Sequence, residues 1–449
     1  GYGIYNSAKI GNIANTGVIS GTGANGGSIG IGIYNKATIK DITNTGEISG
    51  IGTNSGTGNG FGIYNDSDDK EMGAITNTGI ISGTGNSTNN AGAGFAIHNK
   101  SGKIEAITNA GLISGTGIGF GAGFNGFGYG IYNTDTIGDI ANTGEISGTG
   151  SSSSGSGSGY GIINNSGIMG KIENTGLISG IGSSSSGAGT GSGIFNINNV
   201  KKMRNIINEM GNITNTGVIS GTGSSSSGTG IGYGIYNSAK MGNITNTGLI
   251  SGSGTGSNNI SEGSGIYNKS GTIGAITNTG VIYGKDNAIK NDSGTIGTVD
   301  NYGILATQGS SIIEGTIGTK KNYGLYIGEN GEITVGTEKL GDEPIKVVVG
   351  YDKDGKEITT SMTIKNAELN EKDKTKTESF VLAGESGEYD NSILNGKDKT
   401  LKVSEGNNKL KDSIINAYGT AVVMEGTKSS LVLNNTVVNG GAVKDEEVA

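Results

Sequence analysis

Apolar residues fall along this chain at fixed places of a repeated phrase. In Ile42-Thr43-Asn44-Thr45-Gly46-Glu47-Ile48-Ser49-Gly50 the first and seventh places are Ile. The phrase returns at Ile213, Ile244 and Ile276, and looser copies start at Ile13, Ile75, Ile107, Ile140 and Ile172. The seventh place is Ile in every copy, from Ile19 to Ile282, while the place before it reads Val, Glu, Ile, Leu, Glu, Leu, Val, Leu and Val. A place that accepts Glu47 and Glu145 faces water at least in part. A place that is always Ile faces a core. That alternation has the period of a strand, not of a helix. β-Branched residues suit the strand, and the Gly after each run suits a turn.

A second phrase, Gly-Ile-Tyr-Asn, precedes most copies, at Gly3, Gly32, Gly62, Gly130, Gly234 and Gly265. The Asn of the Asn-Thr-Gly triplet recurs in steps of 29, 33, 32, 33, 32, 41, 31 and 32. A coiled coil needs a strict register, whereas a solenoid tolerates inserts of varying length. The variation sits in Gly/Ser-rich stretches such as Ser151–Gly155 and Ser224–Gly228, which read as loops inserted into a smaller unit. Removing Thr22–Ile29 from the first step leaves 21 residues, and Asn301-Tyr302-Gly303 and Asn322-Tyr323-Gly324 lie 21 apart. Ser413–Asn416 is echoed by Thr436–Asn439, 23 residues later. A unit of about 21–23 residues holds three short strands with tight turns.

Each strand of such a unit must pair with its equivalent one unit later, running the same way. Coils then lie about 4.8 Å apart and like side chains stack in columns. The Ile column becomes a continuous core, and the Asn column is expected to form a ladder of side-chain amides. This predicts an all-β solenoid, a parallel β-helix. Residues 1–337 read as regular coils. From Glu338 the only Pro appears, Pro344, the charge rises, and apolar runs such as Val347-Val348-Val349 become richer. Residues 338–449 read as less regular, more charged coils of the same solenoid, with a solvated excursion near 367–378.

Composition narrows the function. The chain has 449 residues, 90 of them Gly, with a formal net charge of −8, a single Arg and no Cys. No basic field exists to draw in nucleic acid. Thiol and disulfide chemistry are absent. No apolar run approaches the ~18 residues that span a bilayer as a helix. The chain begins inside a phrase, at Gly1-Tyr2-Gly3, and is read as part of something longer.

Gly-Tyr-Gly-Ile-Tyr-Asn-Ser-Ala-Lys-Ile-Gly-Asn-Ile and Asn-Thr-Gly-Val-Ile-Ser-Gly resemble the passenger repeats of monomeric type V autotransporter adhesins of Gram-negative bacteria, most of all the large fusobacterial-type surface adhesins. The resemblance is strong over residues 1–284 and weaker beyond. It implies a right-handed parallel β-helix, monomeric, exported to the cell surface at the outer membrane. Membrane attachment would be only through a C-terminal barrel outside this chain. It implies adhesion to a protein or glycan on host cells or other bacteria. The alternatives are an inert spacer that presents a more distal binding domain, and a β-helical polysaccharide-degrading enzyme.

Catalytic constellations are scarce, and the expectation is no enzyme, no cofactor and no metal. The only His, His98, replaces Tyr in Ala96-Ile97-His98-Asn99 and reads as an aromatic substitute in a stacked column. Asp66, Asp68 and Asp69 cluster on a turn and read as solvated. Thr pairs such as Thr43/Thr45, two apart on a strand, share a face and would stack into a regular hydroxyl array, which Thr108-Asn109-Ala110 and Ala141-Asn142-Thr143 interrupt. Two departures from the repeat are candidate contact surfaces. One is Ile118–Tyr129, which reads as a loop carrying Phe120, Phe124, Phe127 and Tyr129. The other is Asn198–Met210, where Val200, Met203, Ile207 and Met210 have helical spacing and Lys201, Lys202 and Arg204 supply charge.

Overall fold

The extended, β-branched repeat forms strands almost throughout. A computed structural model describes residues 1–24, 28–198, 208–257, 261–336, 344–351, 357–367, 379–384, 387–426 and 428–441. Its strands build two long sheets, one of 24 strands and one of 12, that pair parallel and in register from coil to coil. Glu145–Ser152 pairs with Leu177–Ser184, which pairs with Val218–Ser225, with Ile146, Ile178 and Ile219 opposite one another. The chain is a parallel β-helix.

The Ile column is the core. Ile48, Ile81, Ile113, Ile146, Ile178, Ile219, Ile250 and Ile282 have no solvent exposure, and they join Ile33, Ile39 and their equivalents in one cluster along the stack. Each such side chain contributes roughly 1.5–3 kcal/mol on burial. Met210 belongs to this core, in register with Met169 and Met241, so the helical spacing ending there marks a strand at Glu209–Met210. The rest of the predicted helix, with Lys201, Lys202 and Arg204, lies outside the described residues.

Asn does more than stack. Asn44 Nδ2 donates to Asn77 Oδ1 at 2.8 Å, to its own coil at Gly46 O (3.2 Å), and to Ile80 O in the next coil at 2.9 Å. One ladder of this kind runs from Asn15 to Asn322. A second runs from Asn6 to Asn291 through the Gly-Ile-Tyr-Asn phrase. From Asn6 to Asn301 the buried amides are satisfied at both corners of the described coils, which removes the usual penalty for a polar core.

Most of each Gly/Ser insert is strand, and only its tip, such as residues 153–155 and 226–228, is a loop. Leu112–Gly119 leaves the coil body and Gly126–Asn133 returns to it, each paired with its counterpart in the next coil. Along the outgoing strand Gly115, Gly117 and Gly119 are buried while Ser114, Thr116 and Ile118 are half-exposed. The two strands form a flat blade whose interior is glycine. A Cβ at Gly115 would collide with the Tyr129 carbonyl, and one at Gly148 with the Tyr160 carbonyl. The two sheets of the blade therefore approach more closely than side chains would permit. Only the blade tips are turns, and there Ser184 Oγ bonds to Gly155 O of the preceding coil at 2.6 Å.

The blade ends after Thr255. The coils of Val281–Gly284 and Ile304–Thr307 lack it, and the repeat contracts to the 21–23 residues of the bare body. The outward column that is Ser in the blade coils becomes Tyr283, Ala306 and Ile327. These pack with Ile333, Val335 and Tyr418, because Ile333–Val335 turns back and pairs antiparallel with Leu325–Ile327. Beyond this reversal Ile345–Tyr351 pairs antiparallel with Glu357–Asn366, which in turn lies parallel to Ser392–Gly396; from there the strands pair parallel in a 21–23-residue rhythm again, but in separate sheets of five and four strands. This return stack lies against the first. Asn395, Asn416 and Asn439 donate to the carbonyls of Tyr323, Tyr302 and Thr279, so it advances while the first stack recedes. Tyr302 and Tyr323 stack at 5.0 Å and 3°, and Tyr302 shares a core with Val347, Met362, Ile393 and Ile414.

Candidate functional site

The blade meets the coil body at a bend, and the bend collects aromatic rings. In Gly126–Asn133 the ring of Tyr129 lies on the outer face, whereas Ile131 is fully buried in the core. Residues two apart on a regular strand share a face, so the strand turns at Gly130, whose register with the next coil is skipped. The crease therefore holds an aromatic on each side. Tyr129 and Tyr132 meet at 5.1 Å and 80°.

Stacking of the coils turns this pair into an unbroken chain of ring contacts. On the blade side Phe61, Phe95, Tyr129 and Tyr160 succeed one another at 4.9, 4.6 and 5.6 Å, with interplanar angles of 6°, 13° and 9°. On the body side Tyr34, Tyr64, His98 and Tyr132 follow at 5.2, 5.0 and 4.9 Å. Ser192 stands where the next blade-side ring would be, and the path crosses to Phe195, 5.0 Å from Tyr160 and 4.3 Å from Tyr236. Tyr2 and Tyr5 begin the series and Tyr267 ends it. His98 takes the place of a Tyr in this column, as its position in the phrase predicts.

Blade-side rings lie face to face, stacked from coil to coil. Charged groups punctuate the row. Asp66 accepts from Tyr34 Oη (3.1 Å), Lys100 Nζ (3.3 Å) and Ser101 Oγ (3.1 Å). Burial alone would raise the Asp66 carboxyl, but the bonds from Lys100 and Ser101 outweigh it and hold it below the ordinary range. At the far end Tyr233 donates to Glu262 at 2.8 Å and Tyr267 to Asp292 at 2.8 Å, while Lys290 bonds to Glu262 at 3.0 Å and lies 5.3 Å from the Tyr267 ring centre. Burial first, then the neighbouring carboxylate, pushes the phenols of Tyr34 and Tyr233 well up. The Tyr267 phenol is pushed up by burial and by its bond to Asp292. Burial also pushes Tyr129 up.

The structure divides the predicted Phe-rich loop. Phe127 and Tyr129 are strand residues in the crease row, 6.4 Å apart. Phe120 and Phe124 sit at the blade tip, where Phe120 is half-exposed. Gly121 and Gly123 take positive φ there, and Ser154 of the next coil bonds to both. The crease itself was missed as a site. Its signal is Gly-Tyr-Gly-Ile-Tyr-Asn, two aromatics three apart with a Gly between. The Thr array does not form, since the strand Ile42–Asn44 stops before Thr45, whose hydroxyl bonds to Asn15 O at 3.3 Å. Among the described residues no three His, Asp or Glu side chains gather to hold a metal. Comparison with protein-family models, with curated proteins and with solved structures finds no match to this chain.

Proposed function

We propose that this chain is a non-enzymatic binding rod displayed on a bacterial cell surface, and that its aromatic crease is the surface that touches a partner. The observation that carries this reading is the row of rings along one crease, exposed at Tyr2 and Tyr5, half-buried from Tyr34 through Tyr64, Tyr129 and Tyr132 to Tyr160, and buried at Tyr233, Tyr236 and Tyr267. Tyr surrounded by Gly, Ser and Asn is the composition of a binding surface that gains contact area at little cost in side-chain entropy. Here the backbone is already fixed by two Asn ladders, so little ordering remains to be lost on binding. Weak contacts repeated coil after coil add through avidity. The partner class is a protein or glycan on a host cell or a neighbouring bacterium. The cell-surface setting comes from the resemblance of the repeat phrases to autotransporter adhesins.

A spacer role is the second reading, and one observation favours it. Blade-side rings use their faces on each other, which braces the blade against the body without any partner. The two readings separate in one experiment. Fluorescently labelled chain is incubated with epithelial cells and with bacteria, beside a variant carrying Tyr34→Ser, Tyr64→Ser, Tyr132→Ser and Tyr236→Ser. Saturable binding that the variant loses supports the crease. Absence of binding by the parent chain supports the spacer.

A further inference from the structure

The aromatic row has a property that does not depend on any binding partner. Its tyrosines are spaced for electron transfer, and those near its ends are paired with proton acceptors. Tyr34 and Tyr64 lie 5.2 Å apart, and His98 bridges Tyr64 to Tyr132 with contacts of 5.0 and 4.9 Å. Tyr132, Tyr129 and Tyr160 follow at 5.1 and 5.6 Å. Phe195 bridges Tyr160 to Tyr236 with contacts of 5.0 and 4.3 Å, and Tyr267 is 5.5 Å beyond. Electronic coupling decays exponentially with distance, so rings in contact exchange an electron far faster than isolated surface phenols. Phe is too hard to oxidise to hold the vacancy and serves as a bridge.

A phenol holds an electron vacancy stably only when its proton can leave. The chain places a carboxylate on the phenolic hydroxyl of Tyr34 (Asp66, 3.1 Å), Tyr233 (Glu262, 2.8 Å) and Tyr267 (Asp292, 2.8 Å). Lys36 and Lys290 lie 5.8 and 5.3 Å from the Tyr34 and Tyr267 ring centres. Those ammonium groups oppose a radical cation, so oxidation must release the proton together with the electron, and the carboxylates accept it. Tyr2 and Tyr5 are 54% and 52% exposed, and neither has a carboxylate bonded to its hydroxyl among the described residues.

We propose that the aromatic row is an oxidation relay, which carries the electron vacancy left by a one-electron oxidant from its point of arrival to the carboxylate-paired tyrosines at Tyr34, Tyr233 and Tyr267. The oxidant belongs to the class of carbonate radicals, which diffuse in from solution and are strong enough to take an electron from a phenol that keeps its proton. It takes one electron from a row tyrosine and is reduced to carbonate, leaving a short-lived radical cation. Each neighbouring tyrosine then supplies one electron in turn and keeps its proton. At Tyr267 the phenolic O–H bond breaks, the electron fills the vacancy and the proton passes to Asp292, leaving a neutral phenoxyl radical beside a carboxylic acid. One electron from a diffusible reductant such as ascorbate restores the phenol, and the proton returns. A chain without Cys or Trp has Tyr as its main reversible electron donor, and this arrangement keeps the radical off the Gly backbone.

The test uses the absence of native Cys. A ruthenium polypyridyl complex is coupled to the full chain at Ser7→Cys, next to the ladder residue Asn6, and oxidised by a light flash. A spin trap with peptide mass spectrometry then locates the radical. The expected result is trapped radical at Tyr267 or Tyr233, many coils from the oxidant, at several-fold the level found at Tyr2. Tyr129→Leu with Tyr160→Leu should cut the Tyr267 adduct several-fold and leave the Tyr34 adduct in place, which also reports that the attachment end is intact. Asp292 is exposed, so Asp292→Asn should leave the fold unchanged, with an unshifted melting temperature, and should lower trapping at Tyr267. Adducts confined to Tyr2 and Tyr5, or a Tyr267 yield that neither variant changes, would overturn the relay.

Discussion

The side-chain amide of Asn439 donates to the backbone carbonyl of Thr279 at 2.9 Å, across 160 residues of sequence. The same amide donates to Asn416 Oδ1 at 2.8 Å. One residue is thus a rung of the return stack's own ladder and a bolt between the two stacks. Asn416 repeats the pattern on Tyr302 O and Asn395 Oδ1, both at 2.8 Å. Asn416→Ala leaves two buried acceptors without donors, at about 1–3 kcal/mol each. Hydrogen exchange should then quicken first in Ile393–Asn395 and Ile414–Ala417, with the Ile core of the first stack still protected. Uniform loss of protection along the chain would refute the seam.

Ile219 has no exposure and Val218 is half-exposed beside it. Ile219→Asp buries an unpaired carboxylate and should unfold the neighbouring coils. Val218→Glu copies what Glu47 and Glu145 already do in register, and should change stability by less than about 1 kcal/mol. Circular dichroism melts of both variants compare the two faces. Equal effects would contradict their assignment.

The blade requires glycine for space. Gly115→Val must displace the Tyr129 strand and should cost about 1–3 kcal/mol, as overpacking does. Thr116→Val, one place along and half-exposed, should be nearly silent. Denaturant titration with unchanged midpoints for both would show that the blade strands are loosely apposed.

Tyrosines of the crease are held neutral. Tyr34, Tyr129, Tyr233 and Tyr267 have folded values above the ordinary phenol, so folding favours the protonated form. Their contribution is complete below the unfolded value of about 10 and is lost as pH rises beyond it. Stability should fall steeply above about pH 10, and the part of the tyrosinate absorbance that Tyr129→Phe and Tyr233→Phe remove should appear together with the loss of β-sheet circular dichroism. That part rising before the structure melts would contradict a buried crease.

How much of this was legible in the sequence differs by element. The Ile column, the Asn ladder and parallel in-register stacking follow from the repeat phrase, because a period of two with one invariant place has few other solutions. The blade was not legible as structure, since Ser-Gly-Thr-Gly-Ser has the composition of a linker. Its period of two, with Gly at every second place from Gly115 to Gly119, was the signal. The return of the chain after Val335 depends on contacts far apart in sequence. Its trace is the outward column changing from Ser251 to Tyr283, Ala306 and Ile327. Of the predicted contact residues, Phe127 and Tyr129 fall in the crease and Phe120 and Phe124 at a blade tip, because the bend at Gly130 rather than loop length decides where the rings gather.

The most direct test of the central claim compares cell binding by the parent chain, the fourfold Tyr→Ser crease variant and Phe120→Ser at the blade tip, all checked for an unchanged melt. The crease account predicts saturable binding by the parent and by Phe120→Ser, and at least a tenfold weaker affinity for the crease variant. Equal binding by the parent and the crease variant would contradict it.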